Sequence, residues 1–558
     1  MSERPTDEPY DWSKAIAGDG KAGKRARTKS VGPERDRTGA PKRRRSIGTL
    51  GWLIALVSVV ILAGVAVLAW MSWSFNIGSR SQTSTEQGLV PMERDFAPNR
   101  AKANDVLFRI GGTAGLGDKL MPDLVSSWMR ARGYTGVSSG ENDRIITVAG
   151  TKAGKDVRVL IVKGSAFGGF EALISGRVDG VMSARQILPD EADRLSALGD
   201  MTSAANEKVI GLDASYILVN RSNPINNINI ETLGRILAGE VINWSEVTQD
   251  GNGEIAIKLE DLGADQAAGA VGRLLGDREL TGNVDKLRGE LAVADAVSRD
   301  VNAIGISRRQ AGATKALSVN ERNARSVGPD ALGVSTESYP FSERFYLYVG
   351  STAGDPNARD FAEFAMSAAG QDIVARTGYT PLRLAASKIV APVGAPREYQ
   401  NFARDAERMN FDIRFKEGAN ELDSRSQQDL KRFAAFVAKA QVDKRRIALL
   451  GFADNVGARA TNMGLAQSRA ETVGIELEKL GVSPGIIRSY GDAMPVGANA
   501  EEQGRIRNRR VEVWLCAPPA CPLVDLVSQA SSGTREIPTG VRMGPPRPPV
   551  AGEEPPKG

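Results

Sequence analysis

The chain contains no histidine and only two cysteines, Cys516 and Cys521. Histidine is the commonest general base and the commonest metal ligand. Its absence excludes Ser-His-Asp and Cys-His catalysis and most zinc sites. Two cysteines are too few for a thiolate metal cluster. They flank Ala-Pro-Pro-Ala, and in an oxidising compartment they can close a small disulfide loop; in a reducing one they stay free thiols. Carboxylates are plentiful, but none stands in a spaced catalytic motif. No catalytic residue, metal or cofactor is expected, and no tandem repeat is apparent.

What is present is size and apolar content. The 558 residues, 41% of them hydrophobic, are enough for several globular domains. The net charge of +5 is uneven, because much of the basic excess lies near the start. Residues 1–46 are polar and carry the basic runs Lys24-Arg25-Ala26-Arg27 and Lys42-Arg43-Arg44-Arg45, and they read as a disordered tail. Basic runs attract phosphate, but directly before an apolar stretch they fix membrane orientation, so no nucleic-acid partner is expected. Residues 47–73 contain an uninterrupted apolar body from Gly51 to Met71, with Trp52, Trp70 and Trp73 suited to the interfaces. That length crosses the roughly 30 Å hydrocarbon core and places the N-terminus in the cytoplasm. A cleaved signal peptide is the rival reading, against which stand a long charged leader and a poor cleavage site at Leu68-Ala69-Trp70-Met71-Ser72-Trp73.

Residues 74–103 read as a polar linker. From 104 to 388 strand-like and helix-like stretches alternate, which predicts α/β layers. The strand at Val106-Leu107-Phe108-Arg109-Ile110 leads into the glycine-rich turn 111–117 and a helix over 119–132, with Leu120, Leu124, Val125 and Trp128 inward. A second strand, 157–162, leads into Gly164-Ser165-Ala166-Phe167-Gly168-Gly169. Strand, glycine turn and helix N-terminus together present backbone amides to an anion. Residues 389–404 hold Pro392, Gly394 and Pro396 and read as a joint. In 405–517, a strand at 411–415 precedes a helix capped by Asp423, and Ala448 to Phe452 reads as a buried strand with Asp454 just past its end. A helix over 461–479 follows, whose apolar stripe is read as Leu465, Val473, Leu477 and Leu480. Residues 518–558 read as a Pro-rich disordered tail.

Gly451-Phe452-Ala453-Asp454-Asn455-Val456-Gly457, then Asn462, Leu465 and Arg469-Ala470, then Asn508-Arg509-Arg510-Val511 resemble the OmpA-like peptidoglycan-binding domain. That resemblance implies an α+β (βαβαβ) fold in which Asp454 and Arg469 hold the diaminopimelate of the wall peptide, with Asn462 and Arg509 beside them. Phe452 and Ala466 depart from the pattern without removing a charge. It also implies a two-membrane bacterium, so the expected home is the inner membrane, single-pass, with the bulk periplasmic. Cleavage of 47–73 would instead leave a periplasmic or outer-membrane-associated protein.

Gly176-Arg177-Val178-Asp179-Gly180, Ile210-Gly211-Leu212-Asp213, Asn243-Trp244, Ala303-Ile304-Gly305 and Gly378-Tyr379-Thr380-Pro381-Leu382 resemble periplasmic solute-binding proteins of the phosphate (PstS-like) type. This implies two α/β lobes around a cleft, with Thr113, Ser165, Ser183 and Arg185 as candidate anion ligands. The third binding loop of that family has no counterpart in 259–269, which brings Glu260, Asp261 and Asp265 and no hydroxyl. Carboxylates repel a doubly charged phosphate unless they accept its proton, and lost hydroxyls remove donors, so weakened phosphate capture is expected. The leading expectation is a wall-binding envelope protein whose solute-binding-like module is a scaffold or sensor. The alternative is a tethered receptor delivering phosphate or another small oxyanion to an ABC permease.

Overall fold

The computed structural model describes residues 104–261, 269–416, 419–442 and 446–516. The expected tail 1–46, span 47–73, linker 74–103 and tail 518–558 lie outside the described residues, as does Cys521. Among the described residues no helix is long and apolar enough to cross a membrane.

Strand Val106–Thr113 buries Phe108 and Ile110 completely and sits near the middle of a seven-stranded sheet. The order is Thr135–Asn142, Ile145–Lys152, Lys155–Gly164, Val106–Thr113, Gly180–Ser183, Ser342–Tyr348, Glu207–Ala214. The central three run parallel, with Thr113 opposite Gly164 and Gly112 opposite Met182. Helix Leu120–Ala131 presses Leu120, Leu124, Val125 and Trp128 onto this sheet, as the sequence periodicity predicts. The Trp128 ring meets those of Phe108 and Phe361 edge-on. A second sheet runs Val284–Leu287, Ala256–Glu260, Ala303–Ser307, Tyr216–Asn220, Thr314–Ala316. The chain passes to this second lobe at Ser215 and returns through Tyr339 to Phe341. The two crossings are tied together: Ser215 N–H donates to the Phe341 carbonyl at 3.1 Å, and Tyr339 Oη donates to the Ser215 carbonyl at 3.0 Å. The central module is therefore a two-lobed α/β domain.

The C-terminal sheet runs Ala386–Ser387, Ala406–Arg414, Arg510–Cys516, Ile447–Gly451, Ile486–Ser489. Its odd-numbered positions, Met409, Phe411, Ile413, Ile447, Leu449, Val511 and Val513, face helices Ser424–Ala440 and Arg459–Lys479. Asp423 caps the first of these helices by accepting from Ser426 N–H at 2.7 Å. On the second helix the buried stripe is Asn462, Ala466, Ala470, Val473 and Leu477, whereas Leu465 and Leu480 are exposed. Close packing sets this register. A Cβ at Gly451 would lie 2.1 Å from the Ala466 carbonyl oxygen, so strand and helix approach through small residues.

The segment read as a joint carries a helix, Arg397–Asp405. Tyr399 and Phe402 on it pack against Trp514, Leu450 and Phe452 and cover the opposite face of the sheet. Burying each such ring stabilises by about 1.5–3 kcal/mol, which explains why these residues belong to the domain and not to a linker. The same face holds a buried ion cluster. Arg408 pairs with Asp412 at 2.6 Å, Arg510 with Glu512 at 3.0 Å, and Tyr399 Oη donates to Glu512 at 3.0 Å. Cys516, at the end of the last strand, is buried and held in a disulfide.

Candidate functional site

Antiparallel pairing of Ile447–Gly451 with Arg510–Cys516 puts Gly451 opposite Val511, and Phe452 N–H donates to the Arg510 carbonyl at 2.9 Å. The residues just beyond this strand end, Asp454 and Arg509, are thereby neighbours. Arg509 Nη1 donates to Asp454 Oδ2 at 2.9 Å, and its Nη2 donates to Glu502 at 2.6 Å. Burial works against the Arg509 charge, but Glu502 and Asp454 outweigh it and raise its pKa. Asp454 Oδ1 also accepts from Val456 N–H at 3.2 Å. Four lone-pair positions on a carboxylate leave room for a further donor.

Arg469 projects from helix Arg459–Lys479 toward the same end. Its guanidinium is half-buried over the ring of Phe415, 5.7 Å from the centroid. Its Nε and Nη1 are buried without a hydrogen-bond partner among the described residues. Burial lowers its pKa, with the nearby Asp454 charge opposing and Arg509 adding to the effect. Buried N–H groups without partners are costly, and a carboxylate that drew the half-buried guanidinium toward itself would relieve that cost through charge-assisted hydrogen bonds. Asn462 is fully buried beneath the loop; its Oδ1 has no partner among the described residues and its Nδ2 reaches Asp492 only at 3.5 Å. Three contributors escaped the sequence reading. Phe415 underlies Arg469, Glu502 holds Arg509, and Asn499 accepts from both Asn455 N–H and Asn508 Nδ2. The run Glu502 to Arg509 is charged at one-turn spacing, which was the available signal for Glu502.

In the central module, the parallel register brings Thr113, Ser165 and Ser183 to one end of three adjacent strands. Each already has a partner there. Thr113 Oγ1 accepts from Ala184 N–H at 3.2 Å, and Ser165 Oγ caps helix Ala166–Ile174 by accepting from Gly168 N–H at 3.0 Å. Ser183, fully buried, donates to the Arg185 carbonyl at 2.6 Å and accepts from Arg185 N–H at 3.1 Å. The Arg185 guanidinium forks onto Glu191 at 2.6 and 2.8 Å. A cavity of about 1090 Å³ lies between the lobes and is bordered by the C-terminal domain; of the four residues only Arg185 lines it. Its other cations are engaged too. Arg308 pairs with Glu343 at 2.8 Å and with Asp213 at 3.2 Å, and Arg273 reaches Glu343 at 3.4 Å. Burial pushes the Asp213 carboxyl up to about 6, against the pull of Arg308. Of the third loop, 262–268 and with it Asp265 lie outside the described residues.

Residues 414–509 match the OmpA family, and residues 132–369 match a PBP superfamily domain. Protein SphX of Synechococcus elongatus is 25% identical over 244 residues, covering 41% of this chain and 71% of that protein. Outer membrane porin F of Pseudomonas fluorescens is 37% identical over 107 residues, covering 19% of this chain and 32% of the porin. Phosphate-binding protein PstS of Pseudomonas aeruginosa is 25% identical over 192 residues, covering 31% of this chain and 59% of that protein. The chain thus spans about a third of the porin and less than two thirds of PstS. A segment that matches a PBP superfamily domain is followed in the same chain by a C-terminal segment that matches the OmpA family.

Proposed function

We propose that this chain is a cell-envelope protein that binds peptidoglycan noncovalently through its OmpA-family domain. Residues 47–73 anchor it in the inner membrane, with the N-terminus cytoplasmic and the bulk periplasmic. Arg469 takes the free carboxylate of the diaminopimelate side chain and Asp454 takes the ammonium on the same carbon, while Arg509 steadies Asp454 and Asn462 lies buried behind them. The observation that carries this reading is the half-buried Arg469 guanidinium, two of whose nitrogens have no partner among the described residues, close to the Asp454 carboxylate. Sedimentation with purified sacculi tests it: the full-length chain pellets with them, and a chain that stays in the supernatant contradicts the assignment.

The phosphate-binding-type module acts as a scaffold or sensor. A receptor role for an oxyanion ABC permease rests on the likeness to PstS; Ser183, which donates to the Arg185 carbonyl, and Arg185, which is paired with Glu191, speak against it, whereas Thr113 and Ser165 only accept and keep their hydroxyl hydrogens. Each charge-assisted bond that a phosphate fails to gain forfeits about 1.5–3 kcal/mol. Calorimetric titration of the full-length chain with phosphate, sulfate and molybdate in turn therefore gives no saturable heat. A saturable heat from any of them would restore the receptor reading.

A further inference from the structure

The C-terminal domain touches both lobes of the central module and the hinge between them. On the first lobe, Asp423 pairs with Arg344 at 2.8 Å, Ser424 donates to the Glu207 carboxylate, and Gln428 Nε2 donates to the Glu207 carbonyl at 2.8 Å. At the returning crossing, Arg414 and Arg425 donate to the carbonyls of Thr336 and Ser335 at 2.6 and 2.5 Å. The same two guanidinia, with Arg344, surround the Glu337 carboxylate. On the second lobe, Glu321 pairs with Arg507 and accepts from Ala498 N–H, while Arg325 N–H donates to the Pro495 carbonyl at 3.0 Å. Val496 is buried in a hydrophobic cluster that contains residues of both lobes. Glu321 follows strand Ser318–Asn320, which pairs with Asn227–Asn229 and so moves with the second lobe.

Exposed ion pairs constrain little, but these groups are buried, and parting one partner from the other leaves an uncompensated charge out of water. Rotation of either lobe about the two-crossing hinge must break the Glu321 contacts or the Asp423–Arg344 pair, because one rigid domain holds both. Arg308 joins the lobes a second time through Asp213 and Glu343. We propose that the C-terminal domain is an intramolecular brace that holds the two lobes in one relative position. The module is then presented to the envelope as a fixed body and does not open and close freely. This holds whether or not the domain also grips murein.

The test is a distance between the lobes in the full-length chain, with spin labels on Arg130→Cys in the first lobe and Lys286→Cys in the second. Pulsed electron paramagnetic resonance gives one narrow distribution, unmoved by inorganic phosphate. Glu321→Gln combined with Asp423→Asn, which keeps a capping side chain at the helix start, broadens that distribution and erases its single peak. Should the double variant not fold, Glu321→Gln alone carries the same readout. A broad or two-peaked distribution in the parent overturns the brace, as does an unchanged narrow peak in a folded variant.

Discussion

Replacing Arg469 by alanine removes the chain from the sacculus pellet. The guanidinium supplies charge-assisted hydrogen bonds to a carboxylate, each contributing about 1.5–3 kcal/mol. At 1.4 kcal/mol for each factor of ten, the substitution weakens binding about ten- to hundredfold or more. Folding is spared, because Nε and Nη1 bond to nothing in the described protein, and truncation removes an unpaired buried group. Arg469→Lys keeps the charge and loses the planar fork, so its affinity falls between the two. Asp454→Ala also abolishes pelleting, but it costs stability as well, since Arg509 loses its 2.9 Å partner. The two variants therefore separate on thermal unfolding while agreeing on sedimentation. Equal pelleting of parent and both variants contradicts the site.

Glu337→Gln destabilises the folded chain more than any surface change. Glu337 pairs with Arg425 at 2.9 Å, lies 3.4 Å from Arg414, and bonds to Arg344 through two nitrogens. Removing its charge leaves three buried guanidinia without their shared anion. Breaking one buried pair costs about 3–5 kcal/mol. Burial opposes ionisation of Glu337, yet Arg344, Arg425 and Arg414 outweigh it and hold the carboxyl far below the usual range. A depressed folded pKa gives stability that is complete above the ordinary value of 4.5 and is lost as pH falls toward the folded value. Urea unfolding thus shows the full gap between parent and Glu337→Gln at neutral pH, and a gap that narrows as the medium is acidified below that value. Glu512, lowered to about 2 by Arg408 and Arg510 against the cost of burial, adds an acid loss of the same sign to both proteins. A pH-independent gap would show that the Glu337 carboxylate is not the anion of this cluster.

The proposed wall site could be named from the sequence because its residues stand at fixed spacing around elements with clear periodicity. Asp454 follows an apolar strand, and Arg469 lies on a helix that begins soon after. The buried face of that helix was misread, since Leu465 and Leu480 are the more hydrophobic residues, yet Gly451 demands the small Ala466 and Ala470 against it. Helix Arg397–Asp405 was hidden behind Pro392, Gly394 and Pro396, although a proline just before a helix suits its first turn. The contacts around Glu337 and Glu321 could not be read at all. Charged side chains in a sequence look solvated, and only the fold brings residues 321–344 against 414–428 and 495–507. In the cleft, Ser183 and Arg185 looked like anion ligands because nothing in the sequence reveals that the turn and Glu191 already occupy them.

The most direct measurement is calorimetry of the full-length chain with two purified stem peptides that differ at one residue, diaminopimelate in one and lysine in the other. Lysine keeps the ammonium and lacks the carboxylate that Arg469 is built to receive. Saturable heat with the diaminopimelate peptide and none with the lysine peptide is the predicted result. Equal heats for the two, or none for either, would contradict it.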